Sequence, residues 1–287
     1  MQKWAEKGKT NDMDFTAMID GLEKKAAQEI KAEQGDYIVE GLLYCGKCNT
    51  PKQCRVKIFD KERTPMCLCK CEVEKRDREE AERRRIEFAE KVKEMRRIGF
   101  PEAEMQHWCF ENDDGESSQI ITVAKNYVEN FRKMLDDGKG LLLFGTVGNG
   151  KTFAAACIAN ALIDKGYPCM MTRFSDIAKG IFDGKFTCHD FNKYALLVLD
   201  DLAAERKTEY MQEIVFDVID SRYRAGLPLI VTSNLTAEAI KNPADLAYQR
   251  IFSRLLEMCI PIESKGEDRR RKILKESFSE YSALLGI

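Results

Sequence analysis

Leu141-Leu142-Leu143-Phe144-Gly145-Thr146-Val147-Gly148-Asn149-Gly150-Lys151-Thr152-Phe153 is the stretch that decides the fold. Its first four residues predict a buried strand, and the apolar period from Phe153 to Ile163 predicts a helix. Between them stands G-x-x-x-x-G-K-T, the spacing of a loop that cradles phosphate. Gly145 and Gly150 let the backbone turn tightly and approach phosphate oxygens. The N–H groups from Thr146 through Asn149, and the positive end of the helix that follows, then face the anion. Lys151 is expected to project from the loop to the β/γ-phosphates, and the Thr152 hydroxyl to ligate Mg²⁺. The stretch predicts a nucleoside triphosphate site, with ATP and Mg²⁺ as its ligands.

Downstream, continuous apolar runs alternate with helical ones. Cys169 to Thr172 predicts a strand and 176–182 a helix, Tyr194 to Leu199 a strand ending in Asp200-Asp201, and 208–223 a helix. Leu227 to Val231 is a further strand ending at Thr232-Ser233-Asn234. Strands that are apolar throughout belong to a parallel sheet covered on both faces. Functional groups in such a sheet lie at the carboxyl ends of the strands, where Thr152, Asp200, Asp201 and Asn234 all fall. A carboxylate pair after an apolar strand suits Walker B chemistry: Asp200 for the Mg²⁺ shell, Asp201 to orient or deprotonate the attacking water. Asn234 stands where a polar side chain can position that water.

Upstream, Gln119 to Leu135 predicts one amphipathic helix, and Gly99-Phe100-Pro101 ends the charged helix that precedes it. Residues 72–98 hold Glu and Arg/Lys in near balance with i,i+4 pairs such as Glu74/Arg78, which predicts a solvated helix with one narrow seam of Phe88, Val92 and Met95. Six of the eleven cysteines fall between Cys45 and Cys71. The C-x-x-C of Cys45 and Cys48 and the C-x-C of Cys69 and Cys71 have Zn²⁺ spacing, with Cys67 competing for a place. The other five (Cys109, Cys157, Cys169, Cys188, Cys259) are expected to be buried packing residues. Phe15, Met18, Ile19 and Leu22 share one helical face within residues 1–40, suited to packing or to partner docking.

The 287 residues suffice for one sizeable domain and a smaller one. A net charge of −2 excludes a uniformly basic coat, so any nucleic-acid surface is local. No apolar run approaches the ~18 residues of a membrane span, and Met1 to Glu6 lacks a signal-peptide core. The expectation is a cytoplasmic protein with no membrane partner.

Gly145 to Thr152, Leu199-Asp200-Asp201-Leu202, Pro228 to Asn234 and Arg250-Ile251-Phe252-Ser253-Arg254-Leu255 together resemble the DnaC/DnaI group of AAA+ replicative helicase loaders, whose relatives are the IstB transposition helpers. The likeness covers roughly residues 100–287, and the cysteine segment is more loosely similar to the zinc-binding, helicase-contacting region of some loaders. The resemblance implies an α/β AAA+ ATPase domain at 101–287, preceded by a helical arm (1–40), a zinc module (41–75) and a charged helical linker (76–100). It implies Asn234 as sensor 1, Arg250 or Arg254 as the arginine that reaches a neighbouring subunit, and Arg270 or Arg269 as sensor 2. It further implies self-association, a hexameric replicative helicase and single-stranded DNA as partners, and a slow ATPase, because Asp201 is shorter than the Glu of many AAA+ proteins. An IstB-like helper of a DNA transposase is the alternative. A metabolic P-loop kinase is a third class, disfavoured by the sensor-like Asn and finger-like Arg and by the lack of an obvious small-substrate lid.

Overall fold

The computed structural model describes residues 21–22, 24–25, 32–58, 61–113, 115, 118–202, 209–243, 245–265, 268, 278, 281–282 and 284–285. The arm residues Phe15, Met18 and Ile19, and Arg269 and Arg270, lie outside them. The chain divides into two units, residues 1–87 and 88–287.

The first unit holds two short antiparallel hairpins, β1 (Tyr37–Val39) with β2 (Leu42–Tyr44) and β3 (Val56–Ile58) with β4 (Lys61–Arg63). Helix α1 runs from Lys70 to Gly99 and carries the division between the units. Exposed i,i+4 pairs line its length, Lys75–Glu79 and Arg83–Glu87 among them. Each is worth only ~0.3–0.5 kcal/mol, so many weak pairs rather than a buried stripe support the helix over residues 70–87. Farther along, Val92 and Met95 pack against the core of the second unit.

That core is built on a five-stranded parallel sheet in the order β6-β7-β8-β5-β9: β6 (Cys169–Arg173), β7 (Leu196–Leu202), β8 (Leu229–Ser233), β5 (Gly140–Phe144) and β9 (Cys259–Glu263). Alternate side chains of each strand enter opposite layers. Leu141 and Leu143 join one core with α2 (Ser118–Glu129) and α4 (Lys151–Asp164). Leu142 and Phe144 join the other, with α5 (Phe174–Phe182), α6 (Glu209–Arg224) and α8 (Leu246–Met258). Burial on both faces is why β5, Leu196–Leu199 of β7 and Leu229–Val231 of β8 are apolar throughout, each large side chain contributing about 1.5–3 kcal/mol. The second unit also holds the short helices α3 (Phe131–Asp136) and α7 (Ala237–Lys241).

The structure adjusts several expected elements. The helix expected over 119–135 is two, because the Asn130 side chain bonds the Asn126 carbonyl and leaves helical geometry there. Strand β7 continues through both aspartates rather than ending before them. Of the scattered cysteines, Cys157, Cys169 and Cys259 are buried, whereas Cys109 and Cys188 are only half-buried.

Arg222 on α6 is completely buried and donates to the carbonyls of Phe191, Tyr194, Ala195 and Pro228, beside the starts of β7 and β8. Burial pulls its guanidinium down to about 10, so it stays charged at neutral pH. Arg222→Met keeps much of the volume but orphans those carbonyls, at about 1–3 kcal/mol for a buried group left unpaired. Urea unfolding is expected to show a loss of about 3 kcal/mol or more; a loss under about 1 kcal/mol would contradict this role.

Candidate functional site

The loop 145–150 leaves β5 with Gly145 at φ 127°, Gly148 at φ 85° and Gly150 at φ 76°, all in the region that suits glycine. A Cβ on Gly145 would stand 2.5 Å from the Ser264 carbonyl oxygen, so the position has no room for a side chain. Ser264, just after β9, locks the loop. Its N–H donates to the Phe144 carbonyl (2.7 Å) and its hydroxyl to the Asn149 carbonyl (2.8 Å). Asn149 Nδ2 returns a bond to the Ser264 carbonyl (3.1 Å) and reaches Thr146 Oγ1 (2.7 Å). Thr146 and Val147 are exposed at the rim, and Phe153 packs 5.7 Å from the Trp108 ring.

Lys151 does not project freely. It is 6% exposed, and its Nζ donates to the Gly145 (3.0 Å) and Thr146 (2.7 Å) carbonyls. Its charge is therefore pinned at the loop, a correction to the expectation of a projecting side chain.

The carboxyl ends of β7 and β8 supply the acids. Asp200 Oδ1 accepts from Thr152 Oγ1 (2.9 Å) and from Thr232 Oγ1 (2.7 Å). Two oxygens about 3 Å apart match neighbouring vertices of an octahedral Mg²⁺ shell with ~2.0–2.1 Å bonds, so the pair fits that ion. A register shift between Leu199 and Leu202 places Asp201 at φ 62°, a strained conformation for a residue other than glycine. Its N–H is held by Thr232 Oγ1 (2.8 Å), and its Oδ1 accepts from Asn234 Nδ2 (2.7 Å). Thr232 Oγ1 thus bridges the Asp200 carboxylate and the Asp201 N–H, while the Asp201 carboxylate meets Asn234. Thr232 and Ser264 were not singled out from sequence. Thr232 lies one residue beyond the Leu199↔Val231 register pair, so strand alignment was the available signal.

Arg250 and Arg254 share a face of α8 but differ in their bonds. Arg254 is ion-paired with Glu257 (3.1 Å), whose hydrogen bond raises its pKa, and with Asp220 (3.2 Å), which adds to the rise. Arg250 lies over the Phe216 ring and makes no ion pair among the described residues. No hydrogen bond among the described residues joins it to Asp200, Asp201 or Asn234.

In the first unit Cys45, Cys48, Cys69 and Cys71 come together, all four sulfurs within 4.8 Å of one another. Cys69 and Cys71 are 3.3 Å apart, and Cys45 and Cys71 3.6 Å. Tetrahedral Zn–S bonds of ~2.3 Å require edges of about 3.8 Å, so the cluster is compatible with Zn²⁺. The Thr50 hydroxyl and the Cys71 backbone draw the Cys48 thiol down to about 5, while hydrogen bonding to Cys69, Cys45 and Cys48 pushes Cys71 up to about 12. Four thiolates this close repel one another, and a divalent cation reverses that cost. A buried pair braces the knuckle. Asp36 accepts from Lys52 Nζ (2.8 Å) and from the Gly46 N–H (3.1 Å), which with Glu33 N–H holds its carboxyl down at about 2.

A parallel sheet in this order, with the glycine loop after β5 and β8 between the phosphate-loop strand and the aspartate strand, defines a P-loop nucleotide-binding core. The chain belongs to the family of IstB-like ATP binding proteins, whose family model matches residues 75–277. It is 28% identical to the replicative helicase loader DnaI of Bacillus subtilis (strain 168) over 163 residues, 50% of this chain and 52% of DnaI. It is 33% identical to a Sinorhizobium fredii protein described as an insertion sequence ATP-binding protein over 106 residues, 35% of each chain. The chain thus spans about half, or less, of these relatives' lengths. A crystal structure described as a primosome component from Streptococcus pyogenes serotype M3 shares the fold, with a TM-score of 0.51 at 20% identity over 61% of this chain and 96% of that one. Among the described residues no helix is long and apolar enough to cross a membrane.

Proposed function

We propose that this protein is a slow, switch-like ATPase that binds a hexameric replicative helicase and delivers it to single-stranded DNA. The observation that carries this reading is the match to a replicative helicase loader across half of the chain, in a protein whose separate first unit holds a four-cysteine cluster. In this reading residues 1–40 are an arm, 41–75 a zinc module, 76–100 a linker and 101–287 the ATPase domain.

The loop from Gly145 to Phe153 holds the ATP phosphates, with the Lys151 charge at the β/γ position. Thr152 and Asp200 hold the Mg²⁺ shell, which neutralises charge on the phosphates when bound. Asp201, steadied by Asn234, orients the attacking water. Its short side chain stands off from that water and slows turnover. Arg250 serves the γ-phosphate of a neighbouring subunit, so full activity requires self-association. Arg270 is assigned sensor 2 from the family likeness alone.

A second reading, an IstB-like helper of a transposase, is favoured by the insertion-sequence relative at 33% identity. The two separate in one binding experiment, in which the full chain is mixed with the host's hexameric helicase or with duplex DNA. A helicase complex on gel filtration supports the loader. ATP-dependent coating of duplex DNA with no helicase complex overturns it.

The cysteine cluster adds a prediction. Among its described residues the first unit has two hairpins of three-residue strands and little core, so metal binding supplies much of its folding free energy. Elemental analysis is expected to give about one Zn²⁺ per chain, the four-thiolate stoichiometry. Chelation is expected to speed hydrogen exchange in residues 41–75 while the ATPase domain keeps its protection. Metal-free protein with that segment still protected refutes the zinc assignment.

A further inference from the structure

Helices α6 and α8 pack together, and both arginines on the facing side of α8 lie over aromatic rings of α6. Arg254 Cζ stands 4.1 Å from the Tyr223 centroid and Arg250 Cζ 4.5 Å from the Phe216 centroid. Here the likeness ends. Arg254 is ion-paired with Glu257 and with Asp220, which Arg224 shares, whereas Arg250 is exposed and makes no ion pair among the described residues. Phe216 itself is half-buried, its other side packed on the core. The helix pair is fixed at the other end by Gln212 Nε2, which donates to Asp245 (2.6 Å), the residue that caps α8 at the Ala247 N–H (2.9 Å). A groove of about 410 Å³ opens beside the ring, lined by Leu246, Gln249, Arg250 and Ser253.

We infer that Phe216 is a positioning residue for Arg250. A guanidinium over a ring face is attracted and loses rotamer freedom, yet keeps its full charge, because the ring brings no counter-ion. A carboxylate would hold it too, but would have to be displaced before the arginine could serve an anion. Arg254 shows that arrangement four residues away and acts as a strut between the helices. Phe216 therefore presents Arg250 restrained and, among the described residues, without a counter-ion, the state in which it pays least ordering entropy on meeting a phosphate. The inference rests on the reading of Arg250 as an intersubunit finger.

The test compares wild type, Phe216→Leu, Phe216→Tyr, Arg250→Ala and the double variant Phe216→Leu/Arg250→Ala, measuring ATP turnover against protein concentration and ATP affinity. Phe216→Leu is expected to lower kcat by about two- to fivefold, the strength of an exposed cation–π contact, with KM unchanged. Phe216→Tyr, which keeps the ring, is expected to match wild type. The double variant is expected to be no slower than Arg250→Ala, since the ring has nothing left to position. Full activity of Phe216→Leu beside a slow Arg250→Ala overturns the role of Phe216 and leaves the finger standing. A Tyr variant as slow as Leu, or a double variant slower than Arg250→Ala, also overturns it, because the ring then acts through the fold. Unchanged turnover in Arg250→Ala overturns the finger, and this inference with it.

Discussion

Arg250→Ala is expected to slow ATP turnover by about 10³-fold or more under assembling conditions, the low end of what an arginine finger supplies. The affinity of an isolated subunit for ATP is expected to stay within about twofold, because a finger touches only its neighbour's phosphate. Arg250 is suited to that role by its exposure and its lack of an ion pair among the described residues. Arg254 is less suited, being paired with Glu257 and with Asp220, which Arg224 shares. Subunit mixing tests the geometry. A subunit lacking Arg250 still offers a pocket and one lacking Lys151 still offers a finger, so mixtures should recover part of the lost turnover. Mixtures no more active than either variant, where wild type assembles, would count against action between subunits.

Lys151→Ala is expected to weaken ATP binding by more than about 10²-fold, since truncating one side of a desolvated charge contact costs about 2–5 kcal/mol or more. The variant should also lose stability, about 1–2 kcal/mol, because Lys151 is buried and donates to two loop carbonyls. Affinity and melting temperature must therefore be measured together. A folded variant with unchanged affinity would remove the phosphate-site assignment.

The parts legible in the sequence were those whose chemistry is local. Glycines at positive φ, a Lys-Thr pair at a helix start and acids at the end of an apolar run announce themselves within a dozen residues. Strand β9 was not legible: Cys259-Ile260-Pro261-Ile262-Glu263 contains a proline, which edge strands tolerate but which argues against a strand from sequence. Missing β9 meant missing Ser264, which closes the phosphate loop from the far end of the chain. Arg222 looks like any arginine near a helix end, and only its burial against four carbonyls distinguishes it. The Lys52–Asp36 pair had no signal either, since neither residue belongs to a metal-ligand pattern. The left-handed backbone at Asp201 follows from a bulge between strands distant in sequence, which no local propensity encodes.

The loader reading is tested most directly by delivery itself. Circular single-stranded DNA coated with its binding protein is incubated with the host's hexameric helicase, ATP and the full chain, and the helicase recovered on the DNA is measured. The account predicts that recovery rises with the amount of this protein added and falls when zinc is chelated or when Lys151→Ala replaces wild type. Helicase recovery independent of this protein, with wild type folded and binding ATP, would contradict it.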